Sequence, residues 1–420
     1  MRLLSLALGL SLIAAPAAAQ TESLLRELVD ESPEILAAED EAAAAKADLW
    51  AARGQLLPQV RVEAFTQSLE ETLRLDGVPG ELTQTRDPRA LSAVVDQALF
   101  TSGRIAGSIG AAKATSTSVA YDSNATRQDV ILEGASAIAD VVRDRAILEV
   151  RRENESVVRR RLDESVARRR AGLATMTDVR QSEARLALAT AEKIAADSAL
   201  DRSEAFFIRV FGKLAPQGLT LPRASRPMPQ SLDEALKTAF DNSPDLGASD
   251  NRRRAAKQNV RAERGAYLPQ FNVTASASTI DNERFGVELG EAEQYAVTLN
   301  GRWDFFTGGS GYSSTRAAKR RASAASRVHQ LTQRRVRETT IAAWSDMLAA
   351  RSSVRARMAQ TDAASVAAEG VAAEFRTGRR TRLDVLDADQ ERSDAHVALV
   401  AAQRDQAVAE FAMLRAMGQL

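Results

Sequence analysis

Leu57-Pro58-Gln59-Val60 returns as Leu268-Pro269-Gln270-Phe271, and this echo decides how the chain is read. Each copy follows a helical pattern and precedes an alternating one. Proline cannot extend a helix, so the motif marks a helix-to-strand junction that occurs twice. Upstream, Ser32-Pro33-Glu34-Ile35 pairs with Ser243-Pro244-Asp245-Leu246, and Arg53-Gly54 with Arg264-Gly265, all at an offset of 211 residues. Downstream the offset is 206: Phe100-Thr101-Ser102-Gly103 pairs with Phe306-Thr307-Gly308-Gly309, Gly172 with Gly378, Asp178-Val179 with Asp384-Val385, and Phe211-Gly212 with Met417-Gly418. The change of offset falls between 60 and 100, where Glu70–Arg89 reads as a loop carrying Gly77, Pro79, Gly80 and Pro88. Its counterpart, Asp281–Gln294, is shorter. Repetition on this scale means two copies of one structural unit.

Each copy runs helix, strand, loop, strand, long helix, turn, helix. Residues 21–57 are helical in pattern with an interruption at Ser32-Pro33, and 104–171 and 175–212 are amphipathic. At 1.5 Å per residue the long helix spans about 100 Å and the two shorter segments about 55 Å each, so the short pair stacked end to end matches the long one. The expected domains are a signal peptide at 1–19, a first repeat at 20–212, a proline-rich linker at 213–230 and a second repeat at 231–420. The strands alternate with period two. Tyr295, Val297, Leu299, Gly301, Trp303 and Phe305 point one way, and Ala296, Thr298, Asn300, Arg302 and Asp304 the other. Phe271, Val273, Ala275 and Ala277, and Val60, Val62 and Ala64, alternate likewise; the strand at 91–100 is less regular because Gln97 falls on its apolar face.

The 420 residues are 45% apolar and 27% charged but only 5% aromatic. That balance fits long helices meeting along narrow seams, the architecture of a mostly α protein. Lys+Arg and Asp+Glu number 56 each, which leaves no global field for nucleic acid. The Arg runs at 159–161, 168–170 and 252–254 interleave with acidic residues and read as solvated or intersubunit helix faces. Cysteine is absent, which excludes disulfides and thiolate metal sites. Arg2, the apolar run Leu3–Ile13 and Ala17-Ala18-Ala19 form an export signal, with the mature chain expected to begin at Gln20. No other uncharged apolar run reaches the roughly 18 residues of a membrane helix, so any membrane span would be made of strands. His329 and His396 lack a ligand pattern, and Gly308-Gly309-Ser310-Gly311 lacks the lysine of a phosphate loop. No cofactor, metal or catalytic group is expected.

Four strands cannot close a membrane barrel, because each unpaired N–H or C=O in hydrocarbon costs several kcal/mol. Single-chain barrels begin at about eight strands. Either the strands form an ordinary half-buried sheet, or several chains pool them. Pooling would put the polar strand face on a wet lumen and the apolar face on lipid, with Trp303, Phe305 and Phe306 as an interfacial girdle. A helix of about 100 Å with a narrow apolar seam also needs neighbours on both sides.

The ordered set, present twice over residues 21–420, resembles the TolC family of outer-membrane channels: export signal, Leu-Pro-Gln junctions, Phe-Thr-x-Gly junctions, and the tips Arg170–Thr175 and Gly378–Ala388. The resemblance implies a homotrimer with a 12-stranded transmembrane β-barrel in outer-membrane lipid and a 12-helix tunnel in the periplasm of a Gram-negative cell. It makes 213–230 the equatorial region. It implies a passive exit duct for efflux or type I secretion. An adaptor (membrane fusion) protein and an inner-membrane ABC or proton-driven pump would open it at its periplasmic tip.

Both tips read Gly, a short turn, then Thr-x-x-Asp: Gly172, Thr175 and Asp178, and Gly378, Thr381 and Asp384. Glycine takes a left-handed helix stop, and Thr with Asp three later is a variant of the capping box. In a symmetric ring, one Asp per chain becomes a ring of carboxylates that attracts cations. Asp384 and Asp387 share one helix face. The resemblance puts Asp178, Asp384 and Asp387 at the pore constriction, although Gln181 stands in the first copy where the second has Asp387. It also implies closing contacts near Thr177, Asp178 and Arg380. Phe375 stands where well-known members have tyrosine, so the hydroxyl bond is not available here. Arg380 could equally be a solvated tip charge. Residues 171–175 and 377–381, with Gly172, Leu173, Thr175, Gly378, Arg379 and Thr381, become the expected adaptor-docking surface. The rival reading is a periplasmic coiled-coil scaffold or adaptor protein without a membrane barrel; detergent dependence separates the two.

Overall fold

Prolines punctuate the helices where the repeat places them. The computed structural model describes residues 11–74, 76, 80–87, 89–284 and 287–420. In it α1 (Ser11–Glu31) gives way to α2 (Pro33–Gly54). Later in the chain, α5 (Leu232–Asn242) gives way to α6 (Pro244–Ala266). A proline in the first helical turn forfeits nothing, since that N–H has no intrahelical acceptor. The join stays bonded: Ser32 N donates to Leu28 O at 3.0 Å and Ser243 N to Ala239 O at 2.9 Å. Most of the expected export signal, Arg2 and the start of Leu3–Ile13, lies outside the described residues, as do Gly77, Pro79 and Pro88.

The Leu-Pro-Gln motif recurs because its glutamine closes a helix. Gln59 Nε2 donates to Gly54 O at 2.9 Å, and Gln270 Nε2 to Ala266 O at 3.0 Å, satisfying carbonyls that the helix end leaves bare. The helix before this junction, α2, therefore ends at Gly54 rather than at Leu57.

The described strands are β1 (Gln59–Thr66), β2 (Leu69–Arg74), β3 (Glu81–Arg86), β4 (Arg89–Phe100), β5 (Gln270–Arg284) and β6 (Val287–Arg302). Four of them form one antiparallel sheet in the order β1-β4-β5-β6. Its register aligns Val60, Val95, Ala275 and Val297 in one row. On the other face Thr274 Oγ1 donates to Asp96 Oδ1 at 2.6 Å, and Arg61 pairs with Asp96 at 3.0 Å. Gln97, the polar residue on the apolar face, donates to Leu56 O at 2.9 Å and so serves the same helix-to-strand junction.

Three expectations are corrected here. Within Glu70–Arg89, where a loop was expected, β2 and β3 pair as a second, two-stranded sheet. Its cross-strand partners include Thr72 and Thr83, with hydroxyls 3.1 Å apart, and Arg74 and Glu81 at 2.7 Å. Asp281–Gln294 is mostly strand, because β5 and β6 stay paired up to Arg284 and Val287. Once two strands are aligned, the ladder can override the weak β-propensity of acidic residues. Finally, β6 ends at Arg302, since its partner strand starts at the opposing Gln270. Trp303, Phe305 and Phe306 follow the strand rather than belonging to it.

The Phe-Thr-x-Gly motif starts a helix in each copy. Thr101 O accepts from Arg104 N at 2.8 Å and opens α3 (Arg104–Arg170); Thr307 O accepts from Ser310 N at 3.2 Å and opens α7 (Ser310–Arg376). Two left-handed residues make each turn, Ser102 and Gly103 or Gly308 and Gly309. Tight turns then lead into α4 (Met176–Phe211) and α8 (Arg382–Ala416).

The chain divides into two compact units. One unit comprises the described part of Met1–Asp40 with Tyr121–Gly247 and Leu331–Leu420. It holds an apolar core of Leu24, Ala137, Ile138, Val141 and Phe207, and another of Ala235, Met347, Met413, Leu414 and Met417. The other unit, Glu41–Ala120 and Ala248–Gln330, contains the sheets. There α3 and α6 approach backbone to backbone, for a Cβ on Gly107 would lie 2.5 Å from Ala262 N. Among the described residues no helix is long and apolar enough to cross a membrane.

Candidate functional site

The two turns joining long helices both belong to the first unit, and their local chemistry is nearly identical. Gly172 and Gly378 adopt φ of 72° and 77°, a conformation open to glycine without steric cost. Around them Leu173 N donates to Arg168 O at 2.8 Å, and Arg379 N to Glu374 O at 3.0 Å, the six-to-one bond of a Schellman stop. Each following helix is capped reciprocally. Asp178 N donates to Thr175 Oγ1 at 3.1 Å while Thr175 N donates to Asp178 Oδ2 at 2.8 Å. Asp384 N donates to Thr381 Oγ1 at 3.2 Å while Thr381 N donates to Asp384 Oδ2 at 2.8 Å. The Thr175 amide holds the Asp178 carboxyl below its ordinary range, helped by the charges of Arg382 and Arg168. The Thr381 amide does the same for Asp384.

Asp387, one turn beyond Asp384, forms an ion pair with Arg185 of α4. Arg380 Nε donates to Glu374 Oε2 at 2.8 Å, within its own hairpin, and both side chains are about half exposed. Thr177 is exposed on the first turn of α4. Within one chain, then, the partner of Asp178 is Thr175 and the partner of Arg380 is Glu374. Trp303, Phe305 and Phe306 are all exposed, with the Trp303 and Phe305 rings edge to face at 6.2 Å.

Phe375 lies in the last turn of α7. Its ring packs under two guanidiniums, Arg168 at 5.2 Å and Arg382 at 4.6 Å. Arg382 is only 6% exposed, and its Nη1 donates to Glu164 Oε2 of α3 at 3.0 Å. Sequence reading missed both Arg382 and Glu164. One signal was available: Arg382 is the first residue of α8, where a cation opposes the helix dipole. Beside this contact an open groove of about 490 Å³ runs between α3, α7 and α8, its walls including Arg161, Glu164, Arg376 and Asp389.

Further along, α3, α4 and α8 meet through polar pairs. Asp389 accepts from Arg161 at 3.2 Å, and Arg151 reaches both Glu192 and Asp394 at 2.9 Å. Glu155 takes Lys193 at 2.8 Å and Thr190 at 3.1 Å, and the lysine's bond holds its carboxyl below the usual range. Among the described residues no His, Asp and Glu cluster could hold a metal ion.

The described helices and sheet, with paired tips of this chemistry, match one known family from end to end. Residues 24–213 and 235–419 fit the family model for outer membrane efflux proteins. The chain belongs to the outer membrane efflux protein family. It is 31% identical over 338 residues to outer membrane efflux protein BepC of Brucella suis, covering 80% of this chain and 74% of that one. It is 24% identical to outer membrane protein TolC of Salmonella enteritidis, covering 100% of this chain and 86% of TolC. Among solved structures, the outer-membrane channel OprN superposes with a TM-score of 0.84 at 20% identity, over 97% of this chain and 91% of OprN. The CmeC outer membrane channel of Campylobacter jejuni gives 0.85 at 16% identity, over 95% and 85%. Those two likenesses carry the fold. Membership makes this efflux protein an outer-membrane channel of a Gram-negative cell, and disfavours the soluble scaffold.

Proposed function

We propose that three copies of this chain form a passive exit duct, with no enzyme chemistry of its own. A periplasmic adaptor and an inner-membrane pump, ABC-type or proton-driven, open it at the helical tips. The observation that carries this reading is the β1-β4-β5-β6 sheet, whose outer strands each have one neighbour. Its apolar side exposes Val60, Val62, Tyr295, Val297 and Leu299. A free sheet edge cannot stand in hydrocarbon, so strands from other copies complete the cylinder. Exposed Leu331, Leu348, Met358 and Val366 on α7 support pooling of the helices as well.

In this reading residues 1–19 are removed, the repeats 20–212 and 231–420 each supply two strands of the four-stranded sheet and half of the helices, and 213–230 forms the belt between them. Trp303, Phe305 and Phe306 lie at the lipid interface. Asp178, Asp384 and Asp387 line the constriction, and Thr177, Asp178, Arg380 and Phe375 take part in closing it. Gly172, Leu173, Thr175, Gly378, Arg379 and Thr381 meet the adaptor. The test is purification in detergent followed by planar-bilayer recording: a trimer that conducts is expected, and a stable monomer in plain buffer would refute the duct.

A further inference from the structure

We propose that Arg382 is the latch residue of the second tip, clamping the start of α8 to α3 through Glu164 and Phe375. The inference rests on the reading of the tips as the gate. The start of α8 carries Asp384 and Asp387, so whatever ties it down sets where those carboxylates stand. Arg382 does this with two unlike contacts: a charge-assisted bond to Glu164 at 3.0 Å and a guanidinium face 4.6 Å from the Phe375 ring. The ring is itself shared with Arg168 of α3, so cations from both hairpins meet on one aromatic.

The arginine is nearly enclosed, and among the described residues its Nη2 has no acceptor. Among the described residues Glu164 is the one acid bonded to it, so removing that acid leaves a buried charge without a hydrogen-bonded counterion. Glu164 is 51% exposed at its side chain, so the clamp can be reached from outside. The first tip has Met176 at the position matching Arg382, so the cation is special to the second tip. Since a cation at a helix start weakens the helix, Arg382 serves the contact between elements rather than α8 itself. Phe375 thereby closes the tip through its ring, with no need of a hydroxyl.

The test uses the full-length channel in planar bilayers, with assembly checked by heat-modifiable mobility of the oligomer. Arg382→Met, which installs the residue of the first tip, and Glu164→Gln should each raise closed-state conductance severalfold, and the double variant should be no more open than either alone. The exchange Arg382→Glu with Glu164→Arg keeps both charges and should return conductance towards the parent value. If the exchange assembles yet stays open, the pairing is overturned. If Arg382→Met behaves as the parent while Arg380→Ser opens the channel, the latch is overturned and the gate reading stands. If neither variant opens it, the gate reading falls and the latch with it.

Discussion

Asp178 and Asp384 each close the first turn of a helix at a tip. Each accepts its capping threonine's amide at 2.8 Å, which lowers its pKa from the ordinary 3.8. A carboxyl lowered in the folded state adds stability that is complete above the unfolded value and lost as pH falls through the folded one. Hydrogen exchange of peptides covering 175–180 and 381–386 should therefore be slow at pH 6 and, after correction for intrinsic rates, faster once the pH is taken below the ordinary carboxylate value. Equal protection at both values would mean the caps do not hold the tips. Thr175→Ala should loosen the first turn of α4 by about 1 kcal/mol, read from the same peptides. If Asp384 and Asp387 line the constriction, Asp384→Ala with Asp387→Ala should lower cation preference in single-channel reversal potentials. Unchanged selectivity would remove both from the constriction.

At the scale of elements, the helices combine a few apolar anchors with long polar seams. Phe207 is fully buried among Leu24, Ile138 and Val141 and stacks on Phe211 at 4.3 Å. Phe207→Ala should cost about 3–5 kcal/mol, seen as a lower denaturation midpoint, with little effect on single-channel selectivity. Nearer the tips, α8 adds polar ties to α3 and α4 through Asp389, Gln390 and Asp394. The helix order and both junction motifs were legible in the sequence, because proline, glycine and a capping threonine act within a few residues. The hairpin of β2 and β3 was not legible, since Gly80 and its neighbours signal a turn equally well in a loop or between two short strands. Arg382 was hidden for another reason. Its partner Glu164 lies 218 residues away along the chain, and no local pattern reports such a contact.

At the scale of the whole molecule, the four-stranded sheet has two outer strands that each pair on one side among the described residues, and Val297 is 80% exposed on its apolar side. If that side meets lipid, Val297→Arg should cost about 2–4 kcal/mol near the bilayer midplane and abolish the heat-modifiable oligomer in outer-membrane fractions. Thr298→Arg, one residue along on the polar side, should assemble normally and alter conductance. Equal tolerance of both arginines would show that the sheet does not face a bilayer.

The sequence by itself determined the duplication, the order of helices and strands, the chemistry of both tips and the two-faced character of the strands. All of these depend on residues close together in the chain or on a fixed period. Only the tertiary structure decided that β4 and β5 join the two halves of the sheet, that Asp387 meets Arg185, and that Arg382 is buried between Glu164 and Phe375. Such pairings are selected by packing and by the cost of leaving a buried charge alone, and both arise when distant segments come together.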